Sequence, residues 1–110
     1  MDFTFYQLNS NKTSLNTNIC GNKFLYPVLG LSNESGEFLG KIKKIFRDKN
    51  GEIDLETKKD LESELGDVLW YLSEICTQLD LSLDDVAFNN LQKLKSRQTR
   101  GVLQGNGDNR

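Results

Sequence analysis

Residues 61–79 read LESELGDVLWYLSEICTQL, and residues 31–46 read LSNESGEFLGKIKKIF. Projected at helical period, the later stretch gathers Leu61, Leu65, Val68, Leu72, Ile75, Cys76 and Leu79 into one apolar stripe, with Glu64, Asp67 and Tyr71 along its border. In the earlier stretch Leu31, Phe38, Ile42 and Ile45 make the stripe, Glu34 lies within its edge, and Glu37 and Lys41 stand beside it. The periodicity predicts two core-facing helices in an all-α, antiparallel bundle, each carrying two acids at a spacing of i, i+3.

That is a costly place for carboxylates. Residues three apart on a helix stand about 5–6 Å from each other at Cβ, and two like charges about 4 Å apart repel by roughly 4 kcal/mol at a near-surface effective dielectric. A hard divalent cation removes the conflict. Mg²⁺, with Mn²⁺ as a substitute, takes carboxylate oxygens and waters and leaves positions open for phosphate oxygens. Any one of these acids alone reads better as a solvated flank or as a lysine's partner, as Glu37 is for Lys41. The repetition on two amphipathic helices favours the metal.

Glu34-x-x-Glu37 followed by Glu64-x-x-Asp67, with the blocks LYPVLGLSNESGEFLGKIKK (25–44), ELGDVLWYL (64–72) and NLQKLKSRQTRG (90–101) in order, resembles the MazG-like all-α nucleoside triphosphate pyrophosphohydrolases from about Phe24 to Gly101. The resemblance implies a bundle completed by oligomerisation, as a homodimer or homotetramer. It also implies Mg²⁺-dependent hydrolysis of a (d)NTP to the (d)NMP and pyrophosphate, in a house-cleaning role. Glu34, Glu37, Glu64 and Asp67 are then the metal-binding and catalytic acids, and Asn90, Lys93 and Arg97 the contacts to nucleotide and phosphates. A dUTP/dCTP pyrophosphatase or a phosphoribosyl-ATP pyrophosphohydrolase is the narrow-substrate alternative, and a catalytically silent helical interaction module the alternative outside enzymes.

On spacing alone, Asn90, Lys93 and Arg97 share one helix face at i, i+3, i+7 and reach a common anion or simply water. Lys41 and Tyr71 lie one turn beyond Glu37 and Asp67 and are further phosphate contacts, although a core tyrosine seeking a hydroxyl partner is the simpler account of Tyr71. Trp70 falls opposite the stripe, which predicts an exposed ring at a subunit interface. Gly30, Gly36 and Gly40 within one helix read as close helix packing, or, at Gly36, as room for a metal or its water.

The chain has 110 residues, 36% of them hydrophobic and 27% charged, which suits one soluble domain spanning 1–110. Its formal charge of −2 gives no overall basic field for nucleic acid. No apolar run spans a membrane. Histidine is absent, which excludes Ser-His-Asp and Cys-His nucleophiles and His-ligated zinc. Cys20 and Cys76 form no C-x-x-C pair, as expected for a reducing cytoplasm. Nor is there a phosphate-cradling glycine loop, so metal and basic side chains must hold any polyphosphate.

Residues 1–22 read as an N-terminal arm with a short helix capped by Asp2 or Thr4, Asn22 caps a helix running to about Phe46, and polar residues 48–59 read as the linker to the next. A calcium loop there fails, because setting Gly51 sixth puts Phe46 first and Thr57 twelfth. Ser82 caps a last helix to about Arg97, and 101–110 reads as a glycine-rich loop or mobile tail.

Overall fold

A computed structural model describes residues 1–110 as four helices: α1 (Phe3–Asn11), α2 (Leu25–Lys49), α3 (Leu55–Gln78) and α4 (Leu83–Thr99). There is no strand, only a single bridge between Ile19 and Asn22 ahead of α2. The caps follow local chemistry. Asp2 accepts from the Phe5 N–H, Asn22 Oδ1 from Leu25, and Ser82 from Asp85, each supplying an acceptor to a helix start. Pro27 sits buried in the first turn of α2, where its missing N–H costs nothing.

α2 and α3 form the most extensive packed pair, reversed by a short turn in which Asn50 (φ 54°) and Gly51 (φ 80°) take the left-handed conformation. The linker expected over 48–59 is therefore shorter, running from Asn50 to Asp54. Asp54 accepts from the Thr57 N–H at 2.8 Å, so the polar run DLETKK is the capped first turns of α3. Ile45 and Leu61 are buried where the two helices meet near this turn, and a Cβ on Gly30 would collide with the Tyr71 ring farther along. Gly36 and Gly40 face open space, so close packing within the chain applies to Gly30 alone.

α1 docks on α3 through a polar seam. Gln7 donates to the Leu81 carbonyl and accepts from the Leu83 N–H, both at 2.8 Å, fixing the α3–α4 corner. Buried Glu74 accepts from Asn11, Ser14 and Gln78. Trp70 is not the exposed ring expected: it is half-buried, donates to Thr13 Oγ1 at 2.8 Å and meets Tyr71 edge-on.

α4 touches α1 and the end of α3 and makes no contact with α2. The radius of gyration is consequently 17.0 Å, against about 13 Å for a compact domain of this length. Much of the expected core stays open: Leu65 and Leu72 on α3, Leu79 at its C-terminal cap, and Val86, Leu91 and Leu94 on α4 are exposed. The tail is tied down rather than loose. The Arg110 guanidinium donates to the carbonyls of Val102, Leu103 and Gly107, and that of Arg100 to Arg110.

Candidate metal centre

Glu34 and Glu37 project from one turn of α2, and Glu64 from the facing turn of α3. Because α2 and α3 run antiparallel from a tight turn, the two acidic pairs lie at a similar distance from it. One carboxylate oxygen from each of Glu34, Glu37 and Glu64 lies within 4.8 Å of the other two. Opposed ligands of an octahedral ion with bonds of about 2.1 Å stand ~4.2 Å apart, so small side-chain rotations close these oxygens on one ion. Asp67, one turn on from Glu64, stands outside the tight triplet but within electrostatic reach of it.

The charges of this centre are visible on their neighbours. Partial burial, then the charge of Glu37 and that of Asp67, push the Glu34 carboxyl above its ordinary value. Burial and Asp67 raise the Tyr6 hydroxyl. Tyr71 is pushed up to about 12, first by the neighbouring Tyr26 hydroxyl and by burial, then by Glu34 and Asp67. Glu34, Tyr6 and Tyr71 thus hold their protons more tightly than usual. A divalent cation suits such a donor set, which is all oxygen and under-neutralised.

One positive side chain enters the centre: Lys41 Nζ lies 2.8 Å from Glu64 Oε1. Tyr71 is adjacent, its ring wedged against Gly30, Tyr26 and Trp70. Asn90, Lys93 and Arg97 are elsewhere, since α4 does not approach α2. Asn90 and Lys93 are exposed, whereas Arg97 is buried and donates from Nη2 to the Asp108 carbonyl at 2.9 Å and to its carboxylate at 3.4 Å. Lys93 reaches the same carboxylate at 3.4 Å. The structure therefore gathers the acids, Lys41 and Tyr71 within one chain and leaves the basic face of α4 apart. Tyr6, brought in by α1, is a neighbour that the periodicity of α2 and α3 does not reach.

The family model for the MazG nucleotide pyrophosphohydrolase domain matches residues 25–102, a span that contains all four acids and the α4 face. The "Gene 37 protein" of Mycobacterium phage L5 is 53% identical over 85 residues, covering 77% of this chain and 75% of that protein. No solved structure matches the chain.

Proposed function

Since this chain belongs to the MazG nucleotide pyrophosphohydrolase family, we propose that it is a Mg²⁺-dependent enzyme hydrolysing a nucleoside triphosphate to the monophosphate and pyrophosphate. The observation that carries this reading is the convergence of Glu34, Glu37 and Glu64 within 4.8 Å, with Asp67 alongside. A divalent ion held by the four acids would neutralise triphosphate charge and activate a water for attack. A glutamate of the α2 pair takes that water's proton. Tyr71 borders the centre and contacts the nucleotide, and Lys41 offsets phosphate charge.

The other half of the reaction needs a second copy. Asn90 and Lys93, with Arg97 once its guanidinium leaves Asp108, contact phosphates in an assembly in which α4 of one protomer covers the open apolar faces of another. The exposed leucines of α3 and α4 support a homodimer or homotetramer. No helix is long and apolar enough to cross a membrane, and we place the enzyme in the cytoplasm, with no nucleic-acid partner and a house-cleaning role.

The test is a panel of standard and modified nucleoside triphosphates with Mg²⁺, scored for pyrophosphate against orthophosphate. Pyrophosphate release supports the reaction, and response to a single base identifies a narrow-substrate member such as a dUTP/dCTP pyrophosphatase. Orthophosphate alone refutes it.

A further inference from the structure

We propose that Lys41 is an internal counter-cation of the acidic centre, which a divalent ion displaces from Glu64 and which then serves a polyphosphate. The inference rests on the metal reading above and extends it to how the site is loaded. Glu64 is the better buried partner of the pair, its side chain 14% exposed against 39% for Lys41, and it is one of the three acids whose oxygens converge. The ammonium therefore sits on an oxygen that the ion needs. A single positive charge offsets one of these carboxylates and leaves the others repelling each other, whereas a divalent ion among the same oxygens offsets more charge at shorter range.

The displaced ammonium has a place to go. Lys41 also borders a cavity of about 260 Å³ between α2 and α3, lined with Lys44, Asp48, Lys49, Thr57 and Asp60. Lys49 is engaged there by Thr57 Oγ1 at 3.0 Å, while Lys44 makes no ion pair. A flexible four-carbon stem lets Lys41 turn from Glu64 into this opening without moving the backbone. It then lines one cavity with Lys44, two ammonium groups that suit the terminal phosphates of an ion-bound chain. Lys41 thus opposes the metal in the free protein and assists phosphate in the loaded one. The two effects have opposite sign on a single side chain.

The experiment uses the full chain as wild type, Lys41→Gln and Lys41→Arg. Mn²⁺ affinity is read by electron paramagnetic resonance without nucleotide, then pyrophosphate affinity by calorimetry at saturating Mn²⁺. Removing one nearby charge should tighten Mn²⁺ about tenfold in Lys41→Gln and weaken pyrophosphate by a similar factor, with Lys41→Arg close to wild type in both. Unchanged or weaker Mn²⁺ binding in Lys41→Gln, with wild type binding normally, overturns the proposal alone. Unchanged pyrophosphate binding overturns it as well. If neither wild type nor Lys41→Gln binds Mn²⁺, the metal reading fails and carries this one with it.

Discussion

The α2–α3 pair and the α4–tail unit handle their charges in opposite ways. Along α2–α3, carboxylates crowd the border of a packed helix pair with Lys41 as the one ammonium paired among them. Along α4, Lys93 and Arg97 are answered from within the chain: they share the Asp108 carboxylate, and Arg97 is closed over by the tail. Apolar exposure does not separate the two: Leu39 is 66% exposed and Phe46 67% on α2, Leu91 63% and Phe88 57% on α4. The acidic half is under-neutralised, the basic half is closed on its own tail, and both keep apolar surface open. The first wants a cation and both want a covering surface.

The largest effect should come from emptying the acidic half. Glu37→Ala and Asp67→Ala remove exposed carboxylates that pack against little, so the melting temperature should hold while turnover falls on the order of 10³-fold, the several kcal/mol that metal-assisted charge stabilisation supplies. Pyrophosphate release and thermal melts of the same preparations check both. If both variants lose cooperative melting, these acids are structural and the contrast between the halves dissolves.

A smaller effect should follow from spoiling the open face of the basic half. Leu91→Asp places a charge on a position open in the single chain. If a second copy covers it, the buried charge should cost roughly 2 kcal/mol or more, weakening association about 30-fold. Sedimentation should then show dissociation, and specific activity should fall on dilution, with the helix content intact. An assembly and activity indifferent to Leu91→Asp would make α4 an ordinary solvated helix.

The acidic half was the more legible in sequence because its determinants are local. An i, i+3 spacing, the Asn50-Gly51 turn and the caps at Asp2, Asn22 and Ser82 each act within a few residues. What escaped depends on partners distant in the chain or on polarity that hid a helix start. Asp54 to Lys59 looks like linker because its charges mask an N-cap whose acceptor is the Asp54 side chain. Trp70 lies opposite the stripe as its angle requires, yet its neighbour is Thr13, fifty-seven positions away. The glycine-rich tail reads as mobile by composition, yet Arg97, Arg100 and Arg110, bonding to its carbonyls, pin it. The apolar stripe predicts burial that a single chain leaves incomplete, since periodicity reports which face is apolar and not what covers it.

The smallest and most discriminating effect is a titration, because the two halves should respond to acid with opposite sign. Asp108 is held below its ordinary value of 3.8, first by the charge of Lys93 and then by hydrogen bonds from Lys93 and Arg97. A lowered carboxyl contributes to stability above 3.8 and loses that contribution as pH falls through its folded value. Glu34 is displaced the other way, above 4.5, by burial and by its acidic neighbours. Its ionised form is the disfavoured one, so protonation, which sets in at higher pH than for a free glutamate, relieves the α2–α3 centre. In chelator-treated protein, amide resonances of residues 105–110 should keep their docked shifts down to about pH 4 and lose them below, while those around Glu34 change earlier with no loss of order. Asp108→Asn should reproduce the tail's release at neutral pH and leave Glu34 untouched. A tail that stays docked in Asp108→Asn would mean that the carbonyl contacts of Arg97 and Arg110 hold it without the carboxylate, and that the basic half is neutralised by backbone alone.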